Sequence, residues 1–182
     1  MLPYFTRYFG NAASSNHSFG WHAEEAVRQA REQIGSLIEA EPNEIIFTSG
    51  ATEADNLALK GIFEMYASKG NHIITTSTEH KAVLDSCNHL LKQGAEITYL
   101  KVNKEGLIDP DELESAIRPT TILICIIYAK NEIGVIQPIN EISKIARKHG
   151  VFFFTDATQA VGKVPVNVNA DGIDLMAFSA HK

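Results

Sequence analysis

Cysteine is scarce in this sequence, with Cys87 and Cys125 the only two among 182 residues. Two thiols are too few for a disulfide framework, and they fit a reducing compartment. A basic excess is lacking as well. Sixteen Lys and Arg stand against 22 Asp and Glu, a formal net charge of −6, which argues against a nucleic-acid backbone as partner. No apolar run approaches the roughly 20 residues that span a bilayer. The longest, Ile122 to Ala129, is strand-sized. The opening Met1–Arg7 has neither the apolar core of a signal peptide nor the Arg/Ser-rich pattern of a transit peptide. Internal repeats, low-complexity tracts and linkers are also missing. What is present, 45% hydrophobic and 21% charged residues, matches an ordinary globular domain. Composition therefore predicts a soluble, cytoplasmic, single-domain protein without membrane or nucleic-acid partners.

Along the chain, short β-rich apolar runs alternate with amphipathic ones. Helical spacing over Trp21 to Ala40 puts Ala23, Ala26, Val27, Ala30, Ile34, Leu37 and Ile38 on one stripe. Glu44–Thr48 reads as a strand, Thr52–Tyr66 as a helix, His72–Thr76 as a strand and His80–Gln93 as a helix stopped by Gly94. Glu96–Val102 alternates as a strand. Asp109-Pro110-Asp111-Glu112 then opens a helix, with Asp at the N-cap, Pro at the first helical position and Glu112 placed for a capping box. Thr121–Tyr128, Val151–Thr155 and Leu175–Phe178 read as strands, and Ile139–His149 as a helix. Strands apolar on both faces and separated by helices predict an α/β fold with a mostly parallel sheet flanked by helices. Ligands of such sheets gather at the carboxyl ends of the strands.

Those ends carry the polar residues of interest. After Phe47 comes Ser49-Gly50-Ala51-Thr52-Glu53, a turn into a helix whose free N–H groups and Thr52 hydroxyl suit a phosphate. The same pattern also serves as a plain N-cap. His80 follows the next strand, and either faces the rim or is solvated. Asn131, in Ala129-Lys130-Asn131-Glu132, reaches a ligand or caps a turn. Asp156 follows three phenylalanines, where a carboxylate is costly without a partner. Ser179, His181 and Lys182 sit at the last strand end. A phosphate cradle, a half-buried Asp, an amine and imidazoles on one rim suit pyridoxal phosphate, which needs a lysine, an acid for its ring nitrogen and a phosphate nest.

Five motifs carry a resemblance: Thr48-Ser-Gly-Ala-Thr-Glu-Ala-Asp-Asn56, Thr78-Glu-His-Lys-Ala-Val83, Asn131-Glu-Ile-Gly134, Asp156-Ala-Thr-Gln159 and Ser179-Ala-His-Lys182. In order and spacing they resemble the cysteine desulfurases that supply sulfur for iron–sulfur clusters. These are class V aminotransferase relatives with the aspartate aminotransferase-like fold (fold-type I), usually homodimeric. The resemblance implies that Lys182 holds pyridoxal phosphate as a Schiff base and shuttles protons. It further implies that Asp156 pairs with the ring nitrogen, that His80 stacks on the ring and assists proton transfer, and that Gln159 bonds the phenolic oxygen. Asn131 would contact ring and substrate carboxylate, and Ala51, Thr52, Ser179 and His181 the phosphate. The implied reaction converts L-cysteine to L-alanine, leaving sulfur as a persulfide on an enzyme cysteine for an iron–sulfur scaffold or other acceptor protein.

Departures from the family pattern bear on what this chain does alone. Residues 1–12 read as the remnant of an N-terminal segment and 13–182 as a partial cofactor-binding large domain. The small domain and the loop with the catalytic cysteine are not in the sequence, so the isolated chain is expected to be silent. Lys130 stands where close relatives usually carry a second Asn. Cys87 and Cys125 fall in a helical run and an apolar strand, as packing residues. The seven histidines show no metal-ligand spacing, and no metal is expected. Two rivals remain: a selenocysteine lyase or related class V aminotransferase, and a non-catalytic binding or scaffold remnant.

Overall fold

The computed structural model describes residues 1–182, and the chain divides into two compact units, Met1–Phe47 and Thr48–Lys182. No helix is long and apolar enough to cross a membrane.

The first unit holds helix α1 (Leu2–Thr6), helix α2 (Ser18–Ile38) and a 3-10 turn at Pro42–Glu44. His17 caps α2, its Nδ1 accepting from the Gly20 N–H at 3.1 Å. Gly20 is required by proximity, since a Cβ there would lie 1.7 Å from the Ser14 carbonyl oxygen. Of the predicted stripe on α2, Ala23 and Ile38 are buried, while Val27 and Leu37 remain exposed. Glu44–Thr48 is not a strand. Glu44 closes the 3-10 turn, no strand pairs with Ile45–Thr48, and Ile46 and Phe47 are exposed. An extended apolar segment becomes a strand only where a neighbour takes its backbone groups.

The second unit is a layered α/β fold. Its sheet contains β1 (His72–Thr76), β2 (Glu96–Leu100), β3 (Thr121–Cys125), β6 (Phe152–Asp156) and β7 (Leu175–Ala177), in the order β2-β1-β3-β6-β7. Every pairing in it is parallel. A small antiparallel hairpin, β4 (Ala129–Lys130) with β5 (Val135–Ile136), stands apart from the sheet. The helices are α3 (Ala51–Met65), α4 (Lys81–Leu91), α5 (Pro110–Ala116) and α6 (Ile139–Lys148). These bounds fall within a few residues of the predicted ones. The predicted capping box at α5 does not form; Asp109 caps it alone, accepting from the Asp111 N–H at 2.9 Å.

Alternation along the strands builds two cores. Ile73, Leu123, Cys125 and Phe154 face Leu59 of α3 and Val83, Cys87 and Leu90 of α4. Ile74, Ile124 and Phe153 face the other way, onto Leu113 of α5 and Ile142 and Ala146 of α6. Both faces of the sheet are thus covered, as parallel sheets require. Phe153 and Phe154 lie on opposite faces, almost wholly buried. At the start of β1 the buried His72 bonds both neighbours, Nδ1 to the Thr121 hydroxyl at 2.7 Å and Nε2 to the Thr98 hydroxyl at 2.8 Å. Because the strands run parallel, Thr76, Cys125, Asp156 and Ala177 all end on one edge.

Candidate active site

The edge is built from local capping and pairing. Asp156 is the last residue of β6, held beside Ala177 of β7 by parallel pairing and by the Ala157 N–H donating to the Ala177 carbonyl at 2.8 Å. Its side chain is 3% exposed, and its Oδ1 accepts the Thr158 N–H at 2.9 Å. His80 is the N-cap of α4, where Nδ1 accepts the Ala82 N–H at 3.2 Å. A ring nitrogen that accepts from an amide carries no proton, so the neutral imidazole has its proton on Nε2. The capping bond therefore sets the tautomer, and Nε2 is the nitrogen left for chemistry.

A third group completes this corner. Asp55, one turn inside α3, offers a carboxylate oxygen that lies within 4.8 Å of atoms of both His80 and Asp156, which also approach each other as closely. It is fully buried and neither oxygen has a hydrogen-bond partner. Burial first, then the charges of Asp156 and Glu79, push its carboxyl up to about 8. Glu79, 4% exposed, adds a further acid. Its Oε1 accepts from the Ile127 N–H at 2.9 Å and the Thr76 hydroxyl at 2.8 Å, while Oε2 is unpaired. Burial outweighs those two bonds and raises Glu79 to about 8. No Lys, Arg or His forms an ion pair with Asp55, Glu79 or Asp156. The corner is rich in acids and carries no salt bridge.

The α3 N-terminus supplies the opposite character. Gly50 occupies the N-cap, so no side chain caps the helix, and a Cβ there would meet nothing within 4 Å. The Glu53 and Ala54 N–H groups are used by the Gly50 carbonyl at 3.1 Å each, while those of Ala51 and Thr52 have no backbone acceptor. Glu53 folds back onto the Ser49 N–H at 2.5 Å. Ala54 and Ala58 of the same helix pack with Ala177 and Leu175 of β7 in one core. Beyond β7, the Ser179 hydroxyl bonds His181 Nδ1, and Lys182 is exposed.

The remaining predicted residues are more scattered. Gln159 accepts from Lys163 Nζ at 2.6 Å through Oε1, which leaves its amide N–H groups as donors. Asn131 is exposed at the turn between β4 and β5, with no side-chain hydrogen bond. Lys130 pairs with Glu132 at 3.3 Å and is 16% exposed. Asp55 and Glu79 were not among the residues the sequence singled out. Helical spacing could have found Asp55, because it shares a turn face with Leu59, four residues on and equally buried. Glu79 carries no such signal: the loop after β1 turns it inward.

The two cysteines are inert. Both are fully buried, and burial pushes the Cys87 thiol up to about 12 and that of Cys125 well above its ordinary value.

Comparison with known proteins places this geometry. The family model described as aminotransferase class-V matches residues 1–182. A cysteine desulfurase IscS of Neisseria meningitidis serogroup C (strain FAM18) is 58% identical over 182 residues, 100% of this chain and 45% of its own length. The IscS of Anaeromyxobacter sp. (strain K) is 54% identical over the same 182 residues, again 45% of its length. The chain thus spans about half the length of these relatives. Among solved structures, one described as "SspA in complex with cysteine" superposes with a TM-score of 0.94 at 40% identity, covering 98% of this chain and 51% of that one. A NifS-like protein gives 0.95 at 35% identity, over 99% and 50%. The chain belongs to the class V aminotransferase family, whose enzymes depend on pyridoxal phosphate.

Proposed function

We propose that this chain is the cofactor-binding large-domain portion, from about residue 13 onward, of a pyridoxal-phosphate-dependent cysteine desulfurase. One observation carries the reading: three carboxyl groups are buried at the sheet edge, none of them in a salt bridge, beside an uncapped helix N-terminus. A planar ligand with a protonated ring nitrogen at one end and a phosphate at the other satisfies both ends. The residues present fit that group.

Asp156 would hold the ring nitrogen, being buried and steadied by the Thr158 N–H. Ala51 and Thr52 N–H groups, the Thr52 hydroxyl, Ser179 and His181 would take the phosphate. Gln159, with its donors free, would bond the phenolic oxygen, and Lys182 would form the covalent link. Bound there, pyridoxal phosphate supplies the electron sink for a carbanion at the substrate α-carbon. His80, whose Nδ1 is committed to the α4 cap, would stack on the ring and move protons through Nε2. Asn131 would meet the ring and the substrate carboxylate from the hairpin. L-cysteine is the substrate and L-alanine the product. The sulfur acceptor is neither Cys87 nor Cys125, both sealed in the core. The protein would work in the cytoplasm as a homodimer and hand sulfur to an iron–sulfur scaffold or another acceptor protein.

The test is borohydride reduction of the intact gene product with pyridoxal phosphate, followed by peptide mass mapping, alongside alanine release from cysteine. A reduced adduct on Lys182, lost together with alanine release in Lys182→Ala, is the expected outcome. Retention of both in that variant would overturn the assignment.

A further inference from the structure

Neither buried acid, Asp55 or Glu79, has a part in the reaction proposed above. Asp55 has both oxygens unpartnered in a fully buried position, an arrangement that natural proteins rarely leave unexplained. It shares a corner with His80 and Asp156, whose polar atoms all lie within 4.8 Å of one another and of its own.

We propose that Asp55 is a positioning residue for Asp156: as the neutral acid, it donates its O–H to the Asp156 carboxylate across the corner and keeps a single negative charge facing the cofactor ring nitrogen. The inference rests on the reading of Asp156 above.

The geometry decides which acid carries the proton. Two ionised carboxylates this close, both buried, repel strongly, so the pair holds one proton between them. Asp156 has an amide N–H to stabilise its anion, from Thr158. Asp55 has no donor at all. The proton therefore resides on Asp55, in line with the raised pKa of that group. Every other titratable group facing it pushes the same way or stands aside. Glu79, after β1, adds negative charge when it ionises. The Cys125 thiol of β3 is neutral. His80 makes no hydrogen bond to either Asp55 oxygen and stands aside. Glu79 lies outside the group of Asp55, His80 and Asp156 whose atoms approach within 4.8 Å, and its Oε1 already accepts from Ile127 and Thr76.

The Asp55 and Asp156 carboxyl oxygens lie within 4.8 Å of each other, within reach of a direct hydrogen bond or one bridged by a single water. A donor behind Asp156 would fix the carboxylate plane for the ring nitrogen. It would also stop a second charge from accumulating there. An amide in place of Asp55 keeps a neutral donor; a methyl group does not.

The test compares Asp55→Asn with Asp55→Ala in the intact gene product, titrated with pyridoxal phosphate. The visible band of the bound cofactor is followed across pH 6 to 9. Asp55→Asn should bind within about threefold of the parent, and Asp55→Ala about ten- to a hundredfold more weakly, the scale of a hydrogen bond to a charged group. The parent band should shift on the alkaline side as Asp55 ionises, and that shift should vanish in Asp55→Asn. Circular dichroism reports whether each variant is folded; if Asp55→Ala is not, the alkaline shift in Asp55→Asn decides alone. Equal weakening in both variants, unchanged binding in Asp55→Ala, or an alkaline shift that survives in Asp55→Asn overturns the proposal. A parent that takes up no cofactor overturns the Asp156 reading instead.

Discussion

The buried acids at the sheet edge impose a pH dependence on the cofactor-free protein. Burial raises Asp55 from an ordinary 3.8 to about 8 and Glu79 from 4.5 to about 8. Between those limits the folded state binds protons that the unfolded chain has released, so stability falls as pH rises. Each group removes at most about 1.4 kcal/mol per pH unit. The other shifted groups act mostly outside a useful window. His72, lowered by burial, adds stability only while the unfolded imidazole still titrates around its ordinary 6.5. The lowered carboxyls of Glu25, Glu53 and Glu114 act near and below 4.5. The raised thiols and tyrosines begin above the window, from 9 upward. From pH 6.5 to 7.5 the two acids therefore dominate. Their shares are coupled through Asp156, so the loss is about 1 to 2.5 kcal/mol rather than a simple sum. With ordinary urea slopes, that moves the unfolding midpoint down by roughly 0.5 to 1 M. Urea titrations followed by far-UV circular dichroism at pH 6.5, 7.0 and 7.5 measure it directly. Asp55→Asn should flatten the trend to about half. A midpoint that holds constant or climbs across this window would refute the reasoning.

Two further expectations concern the cap and the thiols. His80→Ala should destabilise the protein by about 0.5–2 kcal/mol through loss of the α4 cap, while His80→Asn, a good capping residue, should restore most of it; thermal unfolding separates them, and equal loss in both would show that the cap is not what matters. Cys87 and Cys125 should resist alkylation at neutral pH in the native protein and react only in denaturant. Mass spectrometry after iodoacetamide checks this, and modification of the folded chain would contradict the burial described.

The sheet and its helices were legible because both periodicities are strong here. Phe153 and Phe154 announce a strand buried on both faces, and Asp109-Pro110 announces a helix start. Glu44–Thr48 misled for a physical reason: its alternation matches a strand, but pairing depends on a neighbour that sequence patterning does not supply. The short α1 and the hairpin of β4 and β5 were not foreseen either, being too brief for a periodic signal. At the site, Asp156 stood out because a carboxylate after three phenylalanines needs an explanation. Asp55 did not, since an acid in a helical run reads as solvent-facing until the turn face is counted. Glu79 is turned inward by a loop, and loop geometry is carried by tertiary packing rather than by residue order.

His72 has a consequence for how the sheet is assembled. Its imidazole stands in the middle of three strands and finds a hydroxyl on each side, Thr98 and Thr121. Slide β1 by one residue against either neighbour and that ring loses a partner while a polar nitrogen stays sealed from water. The same slip would turn Ile73 and Ile74 to the wrong cores. Apolar strands alone tolerate many offsets, because one isoleucine packs much like another. A single two-handed polar residue discriminates among those offsets, so His72 acts as an alignment key. It favours the one arrangement in which all the strand ends, and with them the acids and the imidazole of the site, arrive on the same edge.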